Sequence, residues 1–253
     1  KALAHPGVAA VITGETLKEY NLHMMPTLMS DTQMVLPIDK VCYQAQEVAA
    51  VIATDRYSAA DGIELVEVEY EPLPVVVDPH KATDPDAPII RDDKEGQESN
   101  HIWHWETGDK EGTEEVFQNS DIVLKENIYI PRIHVASIET CGCVSEFDKA
   151  TGQLTVWMTT QAPHAIRTVL ALVAGHVGLQ EDKIRVISPD IGGGFGGKVP
   201  VYPGYVIAIA ASVVTGLPIK WIEDRRENLQ ADSFARDYHM DCEIAADKDG
   251  ILK

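Results

Sequence analysis

Hydrophobic and polar positions along the chain predict short mixed elements first, a polar interval next, and longer strands and helices last. Residues 8–13 form a β-branched apolar run that reads as a strand. Residues 13–20 follow as a capped turn or brief helix, with Glu15 and Thr16 near its start. Residues 48–53 read as a buried strand, 56–63 as a helix, and 65–70, which alternate apolar and acidic, as a strand with one wet face. Residues 1–77 thus predict a compact α/β module around one core. Pro72, Pro74, Pro79, Pro85 and Pro88 then mark an extended connector, because a residue without an amide N–H cannot run through a central sheet.

From residue 113 the pattern becomes regular again. Residues 113–119 predict a short helix preceded by Gly112 and ending near Asn119 and Ser120, and residues 122–130 predict a strand. Residues 143–147 and 154–159 form a hairpin about the turn at 148–152. Pro163 opens an amphipathic helix with Ile166, Val169, Leu170, Val173 and Val177 on one face, closing around Gly178. Residues 183–187 read as a strand, 205–214 as a helix apolar nearly all round and stopped by Gly216 and Pro218, 218–222 as a strand, and 223–229 as a charged helical turn. Residues 238–246 make a last strand, and 251–253 begin its return partner after the turn at 247–250. A hairpin stopped there leaves its pairing unfinished, so the expectation is a piece of a longer protein.

Composition narrows the function classes. The net charge is −19, and residues 78–126 alone hold 14 acids against 5 bases. A nucleic-acid partner is disfavoured, since binding a phosphate backbone relies on clustered Lys and Arg. The acidic stretch reads as a solvated arm or a partner-facing surface. No apolar run reaches the length of a membrane span, and the expected location is cytoplasmic. Cys141 and Cys143 form a CxC that matches no common zinc spacing; with Cys42 and Cys242 they read as buried, reduced thiols. Within the arm, His101, Trp103, His104 and Trp105 read as an aromatic cluster anchoring the arm to the body, with metal ligation the lesser alternative.

The strongest chemical signal is the run Arg-Val-Ile-Ser-Pro-Asp-Ile-Gly-Gly-Gly-Phe-Gly-Gly-Lys at 185–198. A β-branched stretch at 186–191 leads into five glycines within residues 192–197. Glycine accepts φ > 0 and lets a ligand approach the main chain, where successive N–H groups can converge on an oxygen. Phe195, the one large residue there, reads as a brace for the loop or a pocket wall. Three readings stand at this level: a ligand loop, a Rossmann turn using Gly192, Gly194 and Gly197 as GxGxxG with Glu223 or Asp224 as the ribose acid, and a packing or hinge loop. Pro200 and Pro203 postpone the following helix to about Pro203, against the Rossmann turn. No GxSxG elbow accompanies His134, His164 or His239. Gln161 leaves a strand just before a helix, and the glycine loop likewise follows a strand. Both lie where α/β sheets present ligand groups, and an amide donor with backbone N–H groups suits a strongly accepting oxygen such as a metal oxo or phosphate.

The segments at 159–169, 185–199, 202–216, 218–228 and 234–241 together resemble the molybdenum-binding large subunits of the molybdenum hydroxylases, the family of xanthine dehydrogenase and aldehyde oxidase. Within it the chain looks most like the large chains of aerobic carbon monoxide dehydrogenases, over essentially its whole length. The resemblance implies an α+β fold: an α/β hammerhead domain with its acidic connector over 1–120, then the first part of a molybdopterin-binding domain over 121–253. It implies that Gln161 hydrogen-bonds the apical oxo ligand of molybdenum. Phe195 and Gly196 would lie beside the metal's oxygen ligands, Gly193 and Gly194 would let the loop approach, and no protein atom of this chain would ligate the metal directly. The implied cofactor is molybdenum with molybdopterin cytosine dinucleotide. Copper would be held by residues outside this chain, and electrons would leave through a small iron–sulfur subunit with 2Fe-2S centres and a medium FAD subunit, in a dimer of heterotrimers. The implied location is cytoplasmic, including the inner face of the membrane. Purine-oxidising relatives carry a glutamate where this chain has Val199, which disfavours a purine. Gly197 stands where the carbon monoxide enzymes usually have asparagine, and the helix after Gln161 is about three residues longer, leaving aldehyde and N-heterocycle oxidation as the alternative. The family's copper-binding cysteine loop and catalytic glutamate would lie beyond residue 253, so no catalytic residue is assigned within the chain.

Overall fold

The computed structural model describes residues 1–27, 31–94 and 96–253. The chain opens with strand β1 (Val8–Thr13), helix α1 (Gly14–Glu19), strands β2 (Met24–Pro26), β3 (Thr32–Met34) and β4 (Ala49–Ala53), and helix α2 (Arg56–Glu64). Thr13 caps α1: its hydroxyl accepts the Thr16 N–H while the Thr16 hydroxyl accepts the Thr13 N–H, satisfying donors that a first helical turn leaves open. Asp55 does the same for α2, accepting the N–H groups of Tyr57 and Ser58, each at 2.9 Å. β1 pairs antiparallel with β4, and α2 packs on β4. β2 and β3 pair antiparallel too, but at three residues each they are too short for alternation to reveal them.

The strand expected at 65–70 does not form. Leu65 is the cap that ends α2, and the Val66 N–H still donates to the Ile63 carbonyl, so the segment starts as a helix exit. No described strand lies beside the rest, and alternation becomes a strand only where a neighbour completes the ladder. The proline-marked connector is irregular, as expected. His101, Trp103, His104 and Trp105 are all exposed, which overturns the anchoring role: Trp103 and Trp105 stack on each other at 6.4 Å, and His104 pairs with Glu106 at 3.0 Å.

Helix α3 (Lys110–Gln118) starts before residue 113, because Asp109 accepts the Gly112 N–H at 3.0 Å and caps it. Strand β5 (Ile122–Ile130) follows. Then come β6 (Gly142–Asp148), β7 (Gln153–Met158), α4 (Pro163–Ala174), β8 (Ile184–Ile187), α5 (Pro203–Thr215), β9 (Ile219–Ile222), α6 (Arg225–Ala231) and β10 (Tyr238–Ala246). Two compact units result: Lys1–Tyr70 with His134–Phe234, and Glu71–Ile133 with Ala235–Lys253.

In the second unit β5 and β10 pair antiparallel from Ile122 opposite Ala246 to Ile130 opposite Tyr238, and Leu252 bridges back to Ala246 as the expected return begins. In the first unit the four-stranded order is β8-β7-β6-β9, with β7 and β8 parallel and the other pairs antiparallel. Asp148 shapes the β6–β7 turn by accepting the Ala150 N–H at 2.8 Å and the Thr151 hydroxyl at 2.7 Å, while Gly152 takes φ 67°. Leu154, Val156 and Met158 alternate inward along β7 and join one core with Ile166 and Leu170 of α4 and Tyr205, Val206 and Ile209 of α5. Val177 is not on the buried face of α4. The α-helix ends at Ala174, a 3-10 turn follows, and Val177 is exposed before Gly178 closes at φ 94°. Pro203 opens α5 at its first turn, and Gly216 ends it at φ 70°. No helix among the described residues is long and apolar enough to cross a membrane.

Candidate functional site

Two parallel strands bring the site together. β7 and β8 are neighbours with Trp157 opposite Ile187, so their C-terminal ends open on the same edge of the sheet. β7 continues through Thr160 to Gln161, and β8 through Ser188 to the glycines. The Ser188 hydroxyl donates to the Thr160 carbonyl at 2.6 Å. β8 stops at Ile187, earlier than the β-branched run to 191 suggests, because Pro189 supplies no ladder donor and the chain has to turn away.

Gln161 and the loop interlock. The Gln161 N–H donates to the Lys198 carbonyl at 3.0 Å, and the Thr160 hydroxyl donates to that same carbonyl at 3.2 Å. In return Gln161 Oε1 accepts the Gly196 N–H at 3.0 Å and the Lys198 N–H at 3.2 Å. An atom that receives two N–H groups must be the amide oxygen, so the network fixes the orientation of the side chain. Its NH2 group consequently points away from the Gly196 and Lys198 N–H groups, and it donates to no protein atom among the described residues.

The backbone donors divide into two sets. Those of Gly192, Gly196, Gly197 and Lys198 are spent on Glu139, Gln161, Gly194 and Gln161. Those of Gly193, Gly194 and Phe195, three in succession, meet no protein acceptor among the described residues. Gly193 and Gly196 take φ 93° and 89°, and Phe195, with a side chain that resists it, takes φ 51°. Phe195 does not brace the loop from within: its ring is 75% exposed and lies over Gly193, where an added Cβ would meet Cε2 at 2.9 Å. Gly194 is needed for space, since a Cβ there would sit 2.5 Å from Gln161 Cδ. No helix opens at Gly197; the next is α5, so the Rossmann turn is not built.

Glu139 and Lys198 complete the surround; Lys198 ends the glycine run, whereas nothing in the sequence marks Glu139. Lys198 is buried, and its Nζ donates to Glu139 Oε2 at 2.7 Å. That oxygen also accepts the Gly192 N–H at 2.7 Å. Burial pushes the Glu139 carboxyl up, but the Lys198 hydrogen bond, the Gly192 N–H and the Lys198 charge outweigh it and hold the group below the ordinary carboxylate range. A recess of about 180 Å³ lined by Met25, Pro26, Gln33, Val169, Pro200 and Val201 contains no loop glycine.

A second polar cluster lies where β6 begins and β9 ends. Cys141 Sγ and carboxylate oxygens of Glu223 and Asp232 fall within 4.8 Å of one another, a donor set that could hold a metal. The amide of Asn228 bridges both carboxylates, at 3.2 Å and 2.6 Å, and the Cys141 N–H donates to Glu223 at 3.0 Å. Burial pushes the Cys141 thiol up to about 12, so the group is an unreactive neutral thiol at neutral pH. Cys143 is buried as expected, but Cys42 is half-buried and Cys242 is exposed. Near this cluster Glu47 has a buried Oε2 without a hydrogen-bond partner among the described residues. Burial, only partly offset by a backbone hydrogen bond and reinforced by the charges of Glu227 and Glu223, raises its pKa from 4.5 to about 7. The folded state therefore binds this proton more tightly. The stability it confers is complete below about pH 4.5 and is lost as pH rises through 7, by up to about 3 kcal/mol. Glu47→Gln is expected to leave the melting temperature near wild type at pH 5 and to raise it by several degrees at pH 8, checked by thermal unfolding at both values.

The family model of the molybdopterin cofactor-binding domain matches residues 93–253, and that of the aldehyde oxidase and xanthine dehydrogenase a/b hammerhead domain matches residues 1–74. The chain belongs to the molybdenum hydroxylase family. It is 56% identical to the carbon monoxide dehydrogenase large chain of Afipia carboxidovorans, over 100% of this chain and 32% of that protein. It is 54% identical to the corresponding chain of Hydrogenophaga pseudoflava, over 99% and 32%. The crystal structure of the Cu,Mo-CO dehydrogenase in its carbon monoxide reduced state superposes with a TM-score of 0.93 at 56% identity, over 99% of this chain and 32% of that one. The chain thus spans about a third of the length of these molybdenum hydroxylase relatives, and the mixed α+β architecture is that of the family.

Proposed function

We propose that this chain is part of the large subunit of an aerobic carbon monoxide dehydrogenase, which oxidises carbon monoxide with water to carbon dioxide, releasing two protons and two electrons. The carrying observation is the orientation of Gln161, whose NH2 meets no protein acceptor among the described residues, together with three successive N–H groups at Gly193, Gly194 and Phe195 that likewise meet none there. Donors of this kind fit the oxygen ligands of a molybdenum–molybdopterin cofactor, the group whose binding domain the chain carries. The positive-φ loop, with open space around Gly196, fits it equally: among the described residues, none other than Gly196 and its two chain neighbours has an atom within 4 Å of where a Cβ there would stand.

When bound, molybdenum would supply the two-electron redox chemistry. The residues of this chain would bind and orient. Gln161 would donate to an oxo ligand of the metal, Gly193 and Gly194 would admit the cofactor to the backbone, and Phe195 and Gly196 would border its oxygen ligands, with no direct protein–metal bond. The exposed Phe195 ring would shield that face from water. The 56% identity to a carbon monoxide dehydrogenase supports the substrate, and Val199 in place of the purine enzymes' glutamate argues against a purine. The same reading assigns the cytosine dinucleotide form of the cofactor, copper held by residues outside the chain, and FAD and iron–sulfur partner subunits in a dimer of heterotrimers. It also assigns a cytoplasmic site, including the inner face of the membrane, and a domain division near residue 120.

The test is dye reduction by the assembled holoenzyme with carbon monoxide, aldehydes, N-heterocycles and xanthine offered separately. Turnover with carbon monoxide is expected. Turnover with aldehydes or N-heterocycles alone would move the assignment to the oxidases of those substrates, and turnover with xanthine would contradict the reading of Val199. The 253-residue chain by itself, loaded with cofactor, is expected to be inactive in the same assay; carbon monoxide-dependent reduction by it would contradict the placement of the catalytic groups outside it.

A further inference from the structure

We infer that Glu139 is a positioning residue that sets the Gln161 amide by closing the glycine loop into a ring. One carboxylate oxygen, Oε2, takes the N–H at the start of the loop from Gly192 and the ammonium at its end from Lys198, both at 2.7 Å. The Glu139 N–H donates back to the Gly192 carbonyl at 3.2 Å, so the loop entry is held from both sides. Lys198 is 2% exposed, and its ammonium takes Glu139 as its counter-charge. A buried charge left unpaired is strongly unfavourable, so Lys198 cannot drift from Glu139 without penalty. Lys198 is also the residue whose N–H and carbonyl grip Gln161. Movement at Glu139 therefore passes through one side chain to the backbone group that turns the Gln161 amide.

Glu139 is itself fixed from the other side. The Ser137 hydroxyl donates to the Glu139 carbonyl at 2.9 Å, and the Arg225 guanidinium donates to the carbonyls of Ser137 at 2.6 Å and Ile138 at 2.8 Å. Space is closed as well: a Cβ on Gly192 would lie 2.6 Å from Glu139 Cβ. Glu139 touches neither the amide NH2 nor the unspent N–H groups, so it acts through Lys198. The inference rests on the proposed role of Gln161, and its test separates the two.

In the holoenzyme, Glu139→Gln removes the charge, and Glu139→Gln with Lys198→Met removes both charges without stranding one in the interior. Each is expected to lower kcat by about 10–100-fold with KM little changed, at wild-type molybdenum content. Each is also expected to shift the molybdenum(V) paramagnetic resonance spectrum in the direction that Gln161→Leu shifts it. Combined with Gln161→Leu, Glu139→Gln should add no further loss, because both act on one contact. Multiplying losses, or an unshifted spectrum in both Glu139 variants, would overturn the inference while leaving Gln161 in place. An unchanged rate and spectrum in Gln161→Leu alone would overturn the site reading on which it rests.

Discussion

Gly194→Ala is expected to lower kcat of the holoenzyme by about 10²-fold. The added methyl group would lie 2.5 Å from both Cδ and Oε1 of Gln161 and 2.8 Å from its Cγ, far inside contact distance. Either the loop or the glutamine must yield. If the glutamine yields, Oε1 leaves the Gly196 and Lys198 N–H groups, and the direction of the NH2 is no longer fixed. If the loop yields, the three free N–H groups move instead. Both outcomes misplace donors by about an ångström, which is the scale on which orientation controls rate. Overpacking of this size costs about 1–3 kcal/mol of stability, so the protein should still fold and the loss should show in turnover rather than yield. Steady-state dye reduction at constant molybdenum content measures it, and a variant within twofold of wild type would contradict the packing described.

Leu154→Ala is expected to destabilise the first unit by about 2–5 kcal/mol. Leu154 is completely buried in β7, between Phe147 of β6 and Ile184 of β8, and belongs to the core that α4 and α5 cover. Removing its branch takes away buried apolar surface and leaves a cavity that two flanking strands cannot collapse to fill. Because β7 also carries the chain to Gln161, the same variant should loosen the site. A drop of several degrees in the melting temperature of the full-length subunit is the expected reading. A shift too small to resolve would mean that β7 is not the centre of this core.

The regular elements were legible where their cause is local. Pro203 and Gly216 bracket α5, the alternation in β7 marks its inward face, and the turn at 148–152 announces the β6–β7 hairpin. Residues 65–70 show the limit of that logic: they alternate as a strand should, but the missing ladder partner is not a local property. The site divides in the same way. Gln161 and the glycines could be picked out as strand-end residues of the right chemistry. That they meet depends on β7 and β8 being parallel neighbours, a long-range pairing that no periodicity encodes. Glu139, 53 residues from Gly192 in sequence and 59 from Lys198, becomes visible only when the chain closes on itself. Phe195 stands out in the sequence as the one large residue of the loop, but its outward ring and φ of 51° are visible only in the folded backbone. The cluster of Cys141, Asn228, Glu223 and Asp232 likewise forms only once β9 pairs with β6 and α6 follows it.

In the proposed site the Gln161 amide and the loop at 192–197 face the oxygen ligands of molybdenum. The most direct measurement is a crystal structure of the cofactor-loaded holoenzyme, read at one distance. Gln161 Nε2 is expected about 2.8–3.2 Å from an oxygen bound to the metal, with Oε1 still held by the Gly196 and Lys198 N–H groups. A molybdenum site with no metal-bound oxygen within about 4 Å of that nitrogen would contradict it.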